Sequence, residues 1–435
     1  MTHEHVEQEQ NREAAGTQHA VKPIILVGFV GVAMIGFAPF QPDDSIIFVE
    51  EPDVIRKREV EDKIAGKAIV RGLISWEFHL PGRADEFYHT HRDLDPAAVI
   101  GLSEYAVPFA ARLAERYGLP GAGYGAAQIL RNKDLLRRVT RAAGIANPIS
   151  AQVTSPDEVR AFMASAPGPI VLKPANRQAS VGTQVIRDPA EIDTAWAACV
   201  AQDEGVFVPD RPMELRMLAE HFIEGTEYSV EMLVRGGEEL FFNVTGKQLF
   251  PGSRPVESAH IVPADIPEQL HDLLGAQTLR VLEAAGFQDG IVHCEWIVSD
   301  GVPYLVECAG RLAGDGIIEL IENAYPVELK RMYTAVMKGE PLPAEALPRR
   351  AKGATAARFI TIEPGTVTAV RGVEAAEKSE GVVMCDVSVA PGDRFDGLRS
   401  SWDRIGDLVV AASTPAEALR LADAAAALIE IDVEP

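Results

Sequence analysis

Cysteine is scarce in this chain. Among 435 residues there are four, Cys199, Cys294, Cys308 and Cys385, and no C-x-x-C pair. That excludes a disulfide framework and a thiolate zinc site, and reads as free thiols in a reducing compartment, the cytoplasm. Basic charge is short as well: 41 Lys and Arg against 64 Asp and Glu, a net charge of −23. Holding a nucleic-acid backbone takes clustered lysines and arginines, so no nucleic-acid partner is expected. The apolar run Ile24–Phe40 has 17 residues, interrupted by Gly28, Gly31, Gly36 and Pro39. It falls short of the ~20 apolar residues of a membrane helix. It reads instead as a buried strand, a glycine turn and the start of a buried helix, with no membrane partner. Residues 1–20 are polar and lack a basic leader segment; they read as a disordered tail. G-x-G-x-x-G and the Walker order G-x-x-x-x-G-K-[ST] are both missing, so neither dinucleotide binding nor a P-loop is indicated.

What is present is ordinary globular composition, 47% hydrophobic and 24% charged. The length suits about two to four domains of roughly 100–200 residues each. Strand signals at Ile24–Val27, Ile46–Val49 and Ala68–Ile74 alternate with helix-compatible stretches at 53–64 and 102–117. That alternation predicts an N-terminal parallel α/β domain over residues 21–120. A central segment, 121–345, opens on Leu119-Pro-Gly-Ala-Gly123 and a helix with Leu136, Val139 and Ala143 on one face. Further strands follow at Ile170–Lys173, Met217–Phe222, Tyr228–Val234 and Leu240–Thr245, then an amphipathic helix at 265–286. Beyond Pro341 and Pro343, residues 346–435 read as a small α+β domain ending in an alanine-rich helix, Pro415–Leu428.

Three clusters carry chemistry. The strand Ile170–Lys173 ends in a lysine, and a loop containing Ser180 and Gly182 follows. A fixed ammonium beside a small-residue loop suits phosphate oxygens, since such a loop can lay backbone N–H groups over them; a surface lysine before a proline is the plain alternative. In the second cluster Glu220 ends one strand and Glu227 opens the next, with Gly225 in the link. The exposed backbone of such a link can read a purine edge, and a carboxylate beyond it can accept from ribose hydroxyls; the alternative is a solvated acidic turn. In the third, Trp296–Val298 and Tyr304–Val306 flank the turn Ser299-Asp300-Gly301, and Glu295 and Glu307 lie equidistant from Gly301. A three-residue loop, Asp300 to Val302, sets these carboxylates opposite each other on one face, where a hard Mg²⁺ would relieve their repulsion. A two-residue loop would put them on opposite faces. Cys294 and Cys308 read as packing residues, because thiolates are poor partners for Mg²⁺.

In this order the clusters resemble the ATP-grasp superfamily of carboxylate–amine ligases: Asn132-Lys133-Asp134 before a helix, then Lys173, the Glu220–Glu227 link, Glu295 and Glu307, over about residues 120–340. Within it the chain looks most like the bacterial L-amino-acid ligases, which include the dipeptide ligases of antibiotic pathways. The finer likeness rests on Glu257-Ser-Ala-His260, on Glu307-Cys-Ala-Gly-Arg311-Leu-Ala-Gly314-Asp315 and on the tail segment Asp403-Arg404-Ile-Gly406. The resemblance implies a multidomain α/β and α+β protein: an ATP-grasp core between a Rossmann-like N-terminal parallel domain and a small C-terminal α+β domain. It implies an ATP-dependent ligase that forms a dipeptide-like amide through an acyl phosphate, with ATP and Mg²⁺ (or Mn²⁺), small-molecule carboxylate and amine substrates and, as in related ligases, a homodimer. By the same resemblance Lys133 and Lys173 hold ATP phosphates, and Ser180 and Gly182 belong to the loop covering them. Glu220 and the backbone of Phe222 and Ile223 line the adenine, and Glu227 takes the ribose. Glu295 and Glu307 carry Mg²⁺, and Lys247 lies near the phosphates. Glu257 and His260 face the amino acids, and Arg311 stabilises the substrate carboxylate and its phosphorylated form. One position departs from the pattern: most of the superfamily has Asn two residues after the second glutamate, and here Ala309 stands there, which leaves the number of metal ions open.

The remaining candidates have plain readings. His293 is a packed or hydrogen-bonding residue, and Trp296 is core. His260 is either a substrate contact or a loop histidine. Arg56-Lys57-Arg58, balanced by Glu59 and Glu61, reads as a solvated helix face, as do Arg137-Arg138 with Arg141. Two other functions compete: a carboxylase or purine-pathway enzyme on the same fold using bicarbonate or a nucleotide acid, and a non-catalytic nucleotide-binding protein.

Overall fold

The computed structural model describes residues 21–31, 36–165, 168–201, 204–252, 254–343 and 347–435. The tail expected at 1–20, and part of the helix expected after Gly28, lie outside the described residues.

Near the N-terminus β1 (Ile24–Val27), β2 (Ile46–Glu50), β3 (Val70–Ser75) and β4 (Ala98–Gly101) form a parallel sheet of order β3-β2-β1-β4. Strands β1 and β2 are buried at every position, as expected of a parallel sheet covered on both faces. One face packs Ile25, Val27 and Val99 against Phe87, Phe109 and Leu113. The other packs Ile24, Leu26 and Ile100 in one core with Tyr333, Val336 and Met337, from the helix Leu329–Lys338 far along the chain.

A small antiparallel sheet follows, order β5-β8-β6-β7, from β5 (Ser150–Val153), β6 (Ile170–Pro174), β7 (Gln184–Ile186) and β8 (Met217–His221). The largest sheet is antiparallel and eight-stranded. It takes β9 (Thr226–Arg235), β10 (Glu238–Leu249), β11 (Glu257–Val262), β12 (Gly290–Ser299) and β13 (Val302–Ala309), then β14 (Ala354–Ile360), β16 (Val382–Val387) and β18 (Gly406–Ala412), in the order β13-β12-β9-β10-β11-β14-β18-β16. It therefore runs without a break from the central segment into the terminal one, through the β11–β14 pairing. The last three strands, β15 (Gly365–Arg371), β17 (Arg394–Phe395) and β19 (Glu430–Glu434), make a small sheet of order β17-β15-β19.

Period-two alternation divides the large sheet. One face sends Val230, Val244, Cys294 and Trp296 into a core closed by Leu274, Val281 and Leu282 of the helix Glu268–Ala285. Trp296 is fully buried there, and its indole N–H donates to Thr278 Oγ1 at 3.0 Å. The alternate positions, including Glu227, Ser229, Glu231, Lys247, His293 and Glu295, carry the polar residues described next.

Three expectations need correction. The helix Lys133–Ala142 buries Leu136, Arg137 and Thr140, while Ala143 is exposed at its end. Arg138 and Arg141 are exposed as expected, but Arg137 is fully buried and not on a solvated face. Arg56-Lys57-Arg58 is not a freely solvated face either. Arg56 and Lys57 pair with Asp210, and the Arg58 guanidinium donates to the Phe29 carbonyl and lies 4.6 Å from the Phe207 ring centre.

Candidate active site

The four- and eight-stranded antiparallel sheets and the carboxyl ends of the parallel strands enclose one cleft of about 1670 Å³. Thirteen of the fourteen residues singled out by the sequence line it: Lys133, Lys173, Ser180, Glu220, Phe222, Ile223, Glu227, Lys247, Glu257, His260, Glu295, Glu307 and Arg311. Gly182 stands behind the wall with φ +73°, and a Cβ there would come 3.1 Å from the Cys199 carbonyl oxygen and from Pro174 Cγ. Its place calls for a glycine on both counts.

The cation wall is built from β6, β8 and the helix Lys133–Ala142. Asn132 caps that helix, accepting from the N–H groups of Asp134 and Leu135, so Lys133 begins its first turn. Lys133 Nζ lies 2.8 Å from Glu307 and donates to the Arg177 carbonyl at 3.0 Å. Lys173 Nζ lies 2.6 Å from Glu220, which also accepts from Arg137 Nε at 2.8 Å. All three are buried. Burial opposes the Glu220 charge, but Arg137 and Lys173 outweigh it and hold the carboxyl down at about 2. Burial also lowers the Lys173 pKa, against the pull of Glu220. These are charges fixed in place, as a phosphate-binding wall requires.

The acid wall comes from the large sheet. Lys247 Nζ sits 3.3 Å from Glu227 and 3.4 Å from Glu257, in closest contact with Glu295. The carboxylate oxygens of Glu227, Glu257 and Glu295 lie within 4.8 Å of one another, a donor set suited to a divalent cation. Burial works against the Lys247 charge, yet the carboxylates raise its pKa well above the ordinary value. Glu227, expected at the ribose, is a member of this cluster. Its carboxyl is pushed up to about 7 by burial, with the neighbouring Glu295 and Glu257 charges adding to the effect.

The hairpin itself departs from expectation. Glu295 and Glu307 do face each other across β12 and β13, but through a two-residue turn. Ser299 pairs with Val302, and Asp300 and Gly301 both take positive φ, 48° and 78°, as a type I′ turn requires. The register then slips between the Trp296–Leu305 and Glu295–Glu307 pairs, leaving Val306 as a bulge. That extra residue returns Glu307 to the face of Glu295.

Some contributors were not legible as site residues. Arg137 is one. His293 was read as a packed, hydrogen-bonding residue, and it is: Nδ1 lies 2.9 Å from Glu231 and Nε2 3.2 Å from Glu295, opposite Ala309 on β13. Burial alone would lower its pKa; the bonds to Glu231 and Glu295 win and hold it up at about 9. Glu231 accepts in addition from Ser229, Thr245 and Asn243. From the terminal segment, Ser401 donates to Glu257 at 2.9 Å and Arg404 donates to Asp315 at 3.1 Å. Asp315 also lies 3.2 Å from His260 Nε2. His260 is buried, so it is not a surface loop histidine. Arg311 reaches across to Glu104 of the N-terminal region at 2.9 Å.

Residues 166–319 match the ATP-grasp domain, and residues 358–434 match the L-amino acid ligase C-terminal domain 2. The central third of the chain is thus similar to the ATP-grasp domain. Among curated relatives, the chain is 25% identical over 241 residues to the alanine–anticapsin ligase of Bacillus subtilis, 52% of this chain and 51% of that one. It is 27% identical over 275 residues to dapdiamide A synthase of Enterobacter agglomerans, 60% of this chain and 62% of that one. Both alignments thus span between half and two thirds of the relative. Among solved structures, an L-amino acid ligase from Bacillus licheniformis superposes with a TM-score of 0.75 at 18% identity, covering 95% of this chain and 99% of that one. That likeness establishes the fold. No helix among the described residues is long and apolar enough to cross a membrane.

Proposed function

We propose that this protein is an ATP-dependent carboxylate–amine ligase that joins amino acids into a dipeptide-like product, releasing ADP and phosphate. One observation carries the reading: a cation wall (Lys133, Lys173) and a carboxylate wall (Glu227, Glu257, Glu295, Glu307) face one cleft on an ATP-grasp scaffold whose terminal region matches that of the L-amino acid ligases. The names of the relatives, an alanine–anticapsin ligase and a dapdiamide synthase, agree with it and suggest antibiotic biosynthesis.

In this reading Lys133 and Lys173 neutralise the ATP phosphates, and the loop with Ser180 and Gly182 keeps water from the intermediate. Glu220 and the backbone of Phe222 and Ile223 border the base. Arg311 holds the carboxylate that attacks the γ-phosphoryl group, and then the acyl phosphate. Glu257 and His260 orient the amine, which attacks the acyl carbon and expels phosphate. Glu295 and Glu307, with Glu227 near by, would hold Mg²⁺, which neutralises phosphate charge when bound. The oxygens of Glu227, Glu257 and Glu295, within 4.8 Å of one another, fit such an ion, and Lys247 balances part of their charge. With four free cysteines the reading includes a cytoplasmic location, and by resemblance a homodimer.

The test is phosphate release from ATP and Mg²⁺ over all pairs of the twenty amino acids, with mass spectrometry of the products. A dipeptide mass appearing with phosphate is the expected result, abolished in folded Lys173→Ala and Glu307→Ala proteins. Full activity in purified Lys173→Ala protein would sink the assignment. Turnover that depends on bicarbonate in place of an amine would favour the carboxylase reading.

A further inference from the structure

Arg137 is buried behind the cation wall, off the lining of the cleft. It follows Lys133 by one helical turn, so the two side chains leave the same helix face. Its Nε and Nη2 reach Glu220 at 2.8 and 3.4 Å, and Nη2 also donates to the carbonyl of Val306 at 2.6 Å. Glu220 is the partner of Lys173, at 2.6 Å. Val306 is the bulged residue beside Glu307. A bulge costs strand pairing and leaves backbone groups to be satisfied elsewhere; here the guanidinium satisfies one. A buried arginine is expensive to hold, and a planar fork that serves two acceptors at a fixed angle is what a lysine cannot imitate.

We infer that Arg137 is a positioning residue: its guanidinium fixes Glu220 beside Lys173 and, through the Val306 carbonyl, holds the bulge that presents Glu307 to Glu295. Nucleotide wall and metal hairpin are thereby set by one group, in the way outer contacts orient metal ligands. The inference rests on the ligase reading of the cleft.

The test separates the two. The affinity for ADP is measured by titration calorimetry with and without Mg²⁺, on wild type, Arg137→Lys and Glu220→Gln proteins whose folding is checked by thermal unfolding. No ADP binding by wild type would overturn the ligase reading itself. With wild-type binding in hand, Arg137→Lys keeps a charge beside Glu220 and loses the fork. The expected result is at least a fivefold loss of the Mg²⁺ enhancement, with a smaller loss of metal-free affinity. Glu220→Gln leaves the Arg137–Val306 bond in place. It is expected to weaken ADP binding with the Mg²⁺ enhancement kept within twofold. A wild-type enhancement in Arg137→Lys overturns the inference, and so does an enhancement lost in Glu220→Gln, which would route the effect through Glu220 alone. A purely structural role would lower both affinities of Arg137→Lys by the same factor.

Discussion

Replacing Lys247 with methionine removes a charge from the centre of three carboxylates while keeping most of the side-chain volume. Lys247 is 6% exposed and lies 3.3 and 3.4 Å from Glu227 and Glu257, with Glu295 closest of all. At an effective dielectric of about 20, a charge pair at those separations attracts by about 5 kcal/mol, most of which desolvation offsets. Losing one partner from such a buried set costs about 3–5 kcal/mol, because the others stay buried without compensation. The three carboxylate oxygens lie within 4.8 Å, where each pair repels by about 3.5 kcal/mol on the same scale. Two remedies are open to the variant: protons or a divalent cation. Loss of the ammonium raises the folded-state carboxyl pKa values, so the folded state binds extra protons and the variant's deficit shrinks as pH falls from 8 toward 5. A cation does the same at constant pH. Chemical denaturation of Lys247→Met should therefore show a deficit of about 3–5 kcal/mol at pH 8 without metal. It should also show a larger gain than wild type on adding millimolar Mg²⁺ or Mn²⁺. Equal stability, or an equal response to metal in the two proteins, would refute the view that Lys247 balances this cluster.

Two further predictions concern stability away from the acid cluster. Burial pushes the carboxyl of Glu50, which is 3% exposed, up to about 7 although it accepts from the N–H groups of Phe29 and Glu51. Between the unfolded value of 4.5 and about 7 the folded state holds the extra proton. Wild-type stability should thus fall through that window, by at most about 3 kcal/mol. In Glu50→Gln the fall with rising pH should be smaller by that amount; parallel denaturation profiles of the two proteins from pH 5 to pH 8 would contradict it. A Cβ on Gly225 would come 2.3 Å from the Val298 carbonyl oxygen and 2.8 Å from Ile297 Cγ2, whereas one on Gly72 meets nothing within 4 Å. Gly225→Ala should lose about 1–3 kcal/mol of stability by overpacking and Gly72→Ala almost none; equal melting temperatures would count against the close approach of this link to β12.

What the sequence carried best is what local spacing encodes. Ile24–Val27 and the Gly290–Ala309 hairpin follow from runs and turn residues that act within about ten positions. The order of Lys133, Lys173, Glu220, Glu227, Glu295 and Glu307 survives as one cleft because the first four sit at or next to a helix or strand end and the last two face each other across one hairpin. Arg137 failed for the opposite reason. In sequence it belongs to a charged helix stretch, and its burial depends on Glu220, 83 residues away, and on Val306, 169 residues away. Arg404 and Asp315, 89 residues apart, were likewise joined only by folding.

The hairpin shows how a local reading can reach the right neighbour by the wrong route. Glu295 and Glu307 are symmetric about Gly301, so a regular ladder opposes them only if three residues form the loop. Asp300-Gly301 prefers instead a two-residue type I′ turn, which shifts every pair by one and would set Glu295 against Val306. The protein satisfies both demands by leaving Val306 unpaired, and the turn keeps its favoured geometry. The extra residue then brings a carbonyl that needs a donor, and Arg137 supplies it from another element. Sequence spacing alone thus leaves the shared face undecided, and the bulge at Val306 decides it. Where the compensating residue falls along the strand depends on the donor waiting beside it, and that donor belongs to the tertiary structure.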